Sequence, residues 1–366
     1  LRVLHVTESR GWSGGAVQLW SLCRGLAAAG HEAALFCPPD AELVKRAAGG
    51  PVRIETCPLR EDYDLRAAGR LARLARDFRP DIVHAHHPRA HAIALLATFL
   101  TPLPRLVVSR RVSFRLKKWN LFSQLKYRSS RIACYVAVSE DIRRVLAAGG
   151  VPNAKIVVIH SGVDVEKYAP RPPAEPVRRD LGLPADRPIV GNLTHYSWWK
   201  GQTYFLEAAR KVLDAGVKAH FLLVGKDTDG EDVRRRVRDL RIESHVTLAG
   251  FRADIPEVLS LLSLSVVSSL AGEGFSGVLR ESMCLGVPVA ATDVGGNGEL
   301  VRNEKTGLLV PPADAEALAQ AIRRLLSDRD LSRNVAREAQ ENVRGNYSLE
   351  SMVSKTIGLY ERLVQA

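Results

Sequence analysis

The chain has 366 residues, long for a single hydrophobic core and enough for two domains. With 46% apolar and 25% charged residues it has an ordinary globular composition, which excludes a disordered or fibrous chain. Its net charge of +12 points to a phosphate-bearing, anionic-membrane or nucleic-acid partner, and the placement of that charge has to decide among them.

The elements alternate from the start. Residues 1–6 form a short apolar strand and read as a strand, not as a signal peptide. The glycine turn Gly11-Trp12-Ser13-Gly14-Gly15 follows, and then Val17, Leu19, Trp20, Leu22, Cys23 and Leu26 recur at helical spacing. Residues 33–37 make the next strand, stopped by Pro38-Pro39, and 64–78 a helix. Residues 81–86 are a strand that ends in His84-Ala85-His86, and 106–109, 135–138 and 156–159 are further strands. Four prolines at 170, 172, 173 and 176 suit a stiff interdomain linker over 168–176. A second series follows, with strands at 188–191, 219–224, 246–248, 265–268 and 287–290, and a long amphipathic helix after Tyr347 closes the chain. Near-continuous apolar strands alternating with helices imply parallel sheets covered on both faces, with ligands beyond the carboxyl ends of the strands.

Cys23, Cys37, Cys57, Cys134 and Cys284 form no CxxC pair, and their odd number closes no disulfide set, so they read as core thiols of a reducing compartment. The longest apolar run, 92–100, is too short to cross a bilayer.

The strongest constellation is Glu273-Gly274-Phe275-Ser276-Gly277-Val278-Leu279-Arg280-Glu281. Two glutamates lie eight apart across a glycine-rich loop that opens a helix, and Glu281 shares a helix face with Val278, Ser282 and Leu285. A carboxylate on an apolar face needs a partner, and the paired hydroxyls of a ribose provide one. The alternative is a helix N-terminal charge pattern with a core salt bridge. Charge is also segregated. Between 82 and 139 there is no Asp or Glu, yet ten Lys and Arg occur, interleaved with Phe114, Trp119, Phe122 and Tyr127. That mixture suits an anionic membrane interface, against a plain solvated helix face; no nucleic-acid module is visible. The histidines at 84, 86, 87 and 91 invite a metal reading, but no carboxylate or cysteine cluster accompanies them, so no metal is expected.

The nine-residue glutamate segment resembles the E-x7-E signature of retaining glycosyltransferases of family 4, and the likeness extends along most of the chain. It includes Gly14-Gly15, His84-Ala85-His86, His160-Ser161-Gly162-Val163-Asp164, Lys200-Gly201, Gly250-Phe251-Arg252 and the segment from Ala291 to Gly296. The resemblance implies an α/β GT-B fold, two Rossmann-like domains facing each other across a cleft. The first would be an acceptor domain over 1–165, with a last helix at 347–366 crossing back onto it. The second would be a donor domain over 166–346.

It also implies a donor site. Glu281 would hold the ribose, and Glu273 the donor-sugar hydroxyls, beside Phe275, Ser276, Gly277 and Val278. Phe251 and Arg252 would contact the donor, Gly14 and Gly15 would allow its pyrophosphate close, and His86 would sit near the reacting carbon. Lys200 matches the lysine that pairs with the leaving diphosphate; by itself a lysine is a surface group. His195 stands where the family has an arginine. Either the diphosphate raises its protonation or another cation replaces it.

The reaction implied is retaining, metal-independent transfer of a hexosyl group from a nucleoside diphosphate sugar, UDP-linked before GDP-linked, with no cofactor. Val108-Ser109-Arg110-Arg111-Val112 resembles lipopolysaccharide-type transferases and suggests a lipid-linked or phosphorylated saccharide acceptor. Arg110, Arg111, Arg115, Lys117, Lys118 and Trp119 are the expected acceptor or membrane contacts. The protein is then expected in the cytoplasm, peripheral on the inner membrane face. A hydrolysing sugar-nucleotide epimerase of the same fold and a non-catalytic sugar-nucleotide binder are the rivals.

Overall fold

A computed structural model of the chain describes residues 1–114 and 121–365. They form two compact units. The first runs from Leu1 to Gly162 and takes back the last helix, Leu349–Gln365; the second is Val163–Ser348.

The first unit holds seven parallel strands among the described residues: β1 Arg2–Val6, β2 Glu32–Cys37, β3 Arg53–Thr56, β4 Ile82–Ala85, β5 Arg105–Arg110, β6 Ile132–Ala137 and β7 Ile156–Val158. They lie in the order β3-β2-β1-β4-β5-β6-β7. Every residue of β4 is buried, as both-face coverage requires. The chain reverses direction across the sheet between β1 and β4, where Val6 pairs with Ala85. The helix Gly14–Ala28 starts after β1, with the Ser13 hydroxyl accepting from the Ala16 N–H.

The last helix buries Met352, Leu359 and Tyr360 against Val3, Leu22, Leu26, Val107 and Val136. Gly25 permits that approach. An added Cβ there would stand 2.6 Å from the Val353 side chain. The helix is therefore part of this unit's core and not an appendage.

The second unit repeats the scheme with β8 Ile189–Leu193, β9 His220–Val224, β10 Val246–Leu248, β11 Leu264–Val267, β12 Val289–Thr292 and β13 Leu308–Val310, in the order β10-β9-β8-β11-β12-β13. Phe205, Val212, Phe221, Val266, Leu318 and Ile322 form its core. The reversal falls between β8 and β11.

Sequence reading misses β3 and β13. Both are short strands at sheet edges, and β3 (Arg-Ile-Glu-Thr) has no apolar run to reveal it. The proline-rich stretch 168–176 is a correction. It lies inside the second unit, anchored by Arg171 to Glu257 at 2.8 Å and by the Ala174 N–H to Ser260 Oγ at 3.1 Å. The prolines shape a packed segment ahead of the helix Glu175–Asp180 rather than a linker. No helix among the described residues is long and apolar enough to cross a membrane.

Candidate functional site

In the second unit the strands β8 and β11 open a crevice beyond their carboxyl ends, because the chain leaves them toward opposite edges of the sheet. A cavity of about 110 Å³ sits there, lined by Asn192 and Thr194 after β8, Ser268 and Ser269 after β11, and by Lys200, Glu273, Ser276, Gly277 and Val278. Sequence elements some eighty residues apart thus meet in one place, and five of the expected donor residues are among them.

Lys200 is positioned by its neighbour. Gly201 has φ +67°, and an added Cβ would stand 2.0 Å from the Ser268 carbonyl oxygen, so only glycine lets this turn lie on the end of β11. The Ser268 hydroxyl donates to the Lys200 carbonyl at 3.0 Å. The ammonium then donates to Glu273 Oε1 at 2.7 Å, and the Ser269 hydroxyl donates to the same oxygen. Glu273 is buried, and this neighbourhood satisfies its charge. Its backbone carbonyl accepts from the Gly296 N–H at 3.3 Å, which ties the loop after β12 to the loop after β11.

The helix Gly277–Leu285 begins at the cavity. Arg280, buried on its first turn, donates to the carbonyls of Ser276 at 3.3 Å and Phe275 at 3.4 Å and so holds the glycine loop. The Phe275 ring turns inward onto Tyr347, at 5.1 Å between centroids, which leaves its backbone as what it can offer a ligand. Glu281 is half-buried, and its Oε1 lies 3.9 Å from where a Gly277 Cβ would stand. Burial raises its pKa above the ordinary carboxyl value, opposed by the charge of Arg280 and the hydroxyl of Tyr168. Burial makes the charged form of this carboxyl costly, and an incoming donor of hydrogen bonds would relieve that cost.

His195 lies on the loop after β8, exposed, with its ring 5.9 Å from Trp199. Gly225 makes room for that loop, since a Cβ would stand 2.2 Å from the Thr194 carbonyl. Desolvation and the positive charge of Lys200 lower the His195 pKa, against a weaker pull from Glu273, so the imidazole is neutral at pH 7 in this state. Phe251 leaves its ring in solvent. Arg252 is held by carboxylates: its Nε donates to Asp254 at 2.8 Å and its Nη1 to Asp180 at 2.6 Å. These two residues and His195 do not line the cavity.

In the first unit the reversal between β1 and β4 gathers histidines. His5 Nδ1 lies 3.0 Å from His86 Nε2, and His84 is bonded through Nδ1 to the Tyr360 hydroxyl and through Nε2 to Ser109 Oγ at 2.8 Å. All three rings are buried, and burial holds each well below the usual imidazole range, at about 3 for His5. Their ring nitrogens lie within 4.8 Å of one another, as a metal site would need. His84, however, already spends both nitrogens on Tyr360 and Ser109, which leaves His5 and His86 short of a ligand set.

His87 faces the glycine turn. Its Nδ1 is 2.8 Å from Thr7 Oγ1, and its Nε2 is 3.3 Å from where a Gly15 Cβ would stand. Gly14 has open space at the same point. Arg111 also reaches this corner, with Cδ 3.6 Å from the Gly15 Cβ position.

Arg110 departs from the expected acceptor or membrane contact. It is buried, donating to the Tyr127 hydroxyl at 2.7 Å and to the Phe114 carbonyl, because its strand position points it into the unit. Arg115, Lys117, Lys118 and Trp119 lie outside the described residues. Three residues that sequence reading did not single out complete the picture: His5 beside His86, Asn192 in the cavity wall and Tyr168 against Glu281. A histidine within a strand, an asparagine within a strand and a tyrosine beside prolines carry no spacing signal.

Residues 12–167 match the model of Glycosyltransferase Family 4, and residues 188–328 that of Glycosyl transferases group 1. Between them the two models take in most of both units. The chain belongs to the family 4 glycosyltransferases.

Among curated relatives, this glycosyltransferase is 26% identical over 303 residues to the N-acetyl-alpha-D-glucosaminyl L-malate synthase of Bacillus anthracis, covering 81% of this chain and 79% of that one. It is 26% identical over 316 residues to the UDP-Gal:alpha-D-GlcNAc-diphosphoundecaprenol alpha-1,3-galactosyltransferase of Escherichia coli, covering 82% and 80%. Among solved structures it matches Anabaena HepE in complex with UDP at a TM-score of 0.86 and 22% identity, over 99% of this chain and 100% of the other. These similarities show the GT-B fold.

Proposed function

We propose that this glycosyltransferase moves a hexosyl group from a nucleoside diphosphate sugar, UDP-linked in preference to GDP-linked, to a hydroxyl of a lipid-linked or lipopolysaccharide-type saccharide, with retention at the anomeric carbon and without a metal ion. The observation that carries this reading is the cavity beyond β8 and β11, where the Lys200–Glu273 pair meets the start of the helix Gly277–Leu285.

A compact ammonium and a helix N-terminus are the groups a departing diphosphate needs. In the proposed reaction the donor draws Lys200 partly from Glu273. Glu273 is then free to accept from sugar hydroxyls, while Glu281 accepts from the ribose and Phe251 and Arg252 border the base. Lys200 carries the charge that builds on the leaving diphosphate. The acceptor hydroxyl attacks from the same face and passes its proton to the departing phosphate oxygen. His195, neutral before binding, gains a proton as the diphosphate arrives, or leaves the charge to Lys200 alone.

Two relatives support the choice of substrates. The E. coli galactosyltransferase takes a UDP-sugar and a diphosphoundecaprenol acceptor, and HepE is solved with UDP-glucose. Membrane attachment draws support from an apolar groove of about 530 Å³ in the first unit, between the helices Pro88–Leu100 and Leu121–Arg128. Phe99, Phe122 and Leu125 lie exposed in it, rimmed by Arg128 and Arg131. Arg131 stacks 4.2 Å over Phe99. Exposed aromatics beside cations suit an anionic interface.

The test is transfer from UDP-, GDP- and ADP-sugars to undecaprenyl-diphosphate-linked saccharide in anionic vesicles, with EDTA present and the product anomer read by NMR. We expect retained configuration with a UDP-sugar and loss of turnover by about a hundredfold in Lys200→Ala. Donor consumption without acceptor would favour the epimerase, and donor binding without any turnover the non-catalytic binder.

A further inference from the structure

We infer that Arg105, Arg131 and Lys155 form a phosphate-binding pocket at the amino ends of the first unit's strands, the end away from His86 and the glycine turn. Four neighbouring parallel strands enter the sheet side by side there, each through a charged residue: Asp81 before β4, Arg105 at the start of β5, Arg131 before β6 and Lys155 before β7. Parallel pairing gathers them into one row, since Ile82 pairs with Arg105 and Leu106 with Ile132. All four line a single cavity of about 550 Å³, together with Ser130 and with Val364 of the last helix.

Each cation is tied to main chain. Lys155 Nζ donates to the carbonyls of Ile132 at 2.7 Å and Ser130 at 3.2 Å. Arg131 Nη1 donates to the Thr98 carbonyl at 3.0 Å, and its guanidinium lies over the Phe99 ring. Arg105 Nε donates to the Leu363 carbonyl at 3.0 Å. These bonds fix the three heads and leave further N–H donors on each.

Their charge has no partner to match it. Among the described residues none of the three is in an ion pair, whereas Lys45, Arg70 and Arg143 of the same unit each pair with a glutamate. Asp81 is the only carboxylate in the lining, and its Oδ2 already accepts from the Arg2 N–H at 2.7 Å. Three cations against one carboxylate leave two positive charges, which a phosphate monoester, with about −1.5 to −2 at pH 7, balances. Its oxygens can accept from two guanidinium forks and an ammonium at once.

The phosphate can be carried by a soluble ester or by a lipid headgroup. Ser130 and Arg131 also line the apolar groove that holds Phe99, Phe122 and Leu125, so an acyl chain on the phosphate would run into that groove. The lipid source rests on the membrane attachment proposed above; the pocket rests neither on that nor on the donor reading.

Two probes test it on the full chain: glycerol 3-phosphate by calorimetry, and sedimentation with phosphatidylcholine vesicles with and without phosphatidylglycerol. Glycerol 3-phosphate should bind the wild-type protein and Lys200→Ala alike. It should bind Lys155→Gln and Arg131→Gln about tenfold or more weakly, the scale of one lost hydrogen bond to a charged group. Ser130→Glu sets a carboxylate among the cations and removes none of their anchors. It should weaken the probe as much while leaving Tm unchanged or raised. Loss of sedimentation with phosphatidylglycerol vesicles in Ser130→Glu assigns the phosphate to a lipid. Vesicle binding that is absent, or unmoved by Ser130→Glu, beside lost glycerol 3-phosphate binding assigns it to a soluble ester; absence also sinks the membrane reading and leaves the pocket standing. Cations that serve only to hold strand and helix ends would lower Tm in Lys155→Gln and Arg131→Gln with neither probe responding to Ser130→Glu. That result, or glycerol 3-phosphate binding lost in Lys200→Ala and kept in the three pocket variants, would overturn the inference.

Discussion

Glu281 and Lys200 show how much a single charge depends on what surrounds it. Lys200 is satisfied by Glu273 at 2.7 Å, and in the proposed reaction that pair opens to a diphosphate. Glu281 is the opposite case: burial raises its pKa, and a tyrosine hydroxyl and Arg280 offset that only in part. Removing it should therefore act differently on binding and on stability. Glu281→Ala is expected to weaken UDP by roughly 2–3 kcal/mol, the scale of hydrogen bonds to a charged group, while leaving the denaturation midpoint unchanged or raised. Titration calorimetry and urea unfolding of the same variant read both. Loss of stability with unchanged UDP affinity would make Glu281 a structural carboxylate. His195 fits the same reasoning, because desolvation first and the charge of Lys200 second lower its pKa.

At the scale of elements, the site is made by glycines that let backbones touch. Gly201 lies against the Ser268 carbonyl and Gly225 against that of Thr194, and each contact fixes the loop that carries a candidate donor residue. Gly201→Ala puts a Cβ in the left-handed region and 2.0 Å from a carbonyl oxygen. The backbone conformation alone costs about 1–2 kcal/mol, and the displaced turn adds to it. We expect at least that loss in urea unfolding, together with loss of UDP binding as Lys200 moves off the cavity; an unchanged midpoint and affinity would show that the turn tolerates rearrangement. The last helix makes the comparable point for the first unit. Tyr360 on that helix bonds His84 on β4, so a residue near the chain's end sets the ring beside His86. Much of this scale was legible in the chain: a glycine after a lysine, a glycine-rich loop before a helix and strands ending in histidine all sit where the sequence pattern puts them. Edge strands and the packing of the proline stretch were not, because neither depends on local periodicity.

For the molecule as a whole, buried histidines predict acid sensitivity. His5, His84, His86, His87 and His91 in the first unit and His220 in the second all titrate below the ordinary imidazole value because burial disfavours their charge, His87 and His220 at about 4. In the unfolded chain they take protons as pH falls through about 6.5, while the folded chain does not. The unfolded state then binds more protons, so stability is full above that pH and falls below it, by at most about 1.4 kcal/mol per group per pH unit. Urea midpoints at pH 7.5, 6.5, 5.5 and 5 should decline steeply across the last three; a flat profile would mean these rings are already charged when folded. The basic tract also looks different at this scale. Arg110 and Lys126 turn inward, and Lys126 lies 3.4 Å from Asp62, so the ten basic residues between 82 and 139 overstate the charge that this stretch presents at the surface. The sequence alone determined the alternating parallel architecture, the family and the identity of most candidate donor residues, since periodicity and motif spacing are local properties of the chain. Tertiary structure decided which of those residues share a cavity, that Arg110 is buried while Arg111 meets Gly15 and His87, and that His5 and Tyr360 back the histidines of β4. Such pairings join residues as many as 276 apart, and nothing in local spacing encodes which distant side chain closes a given site.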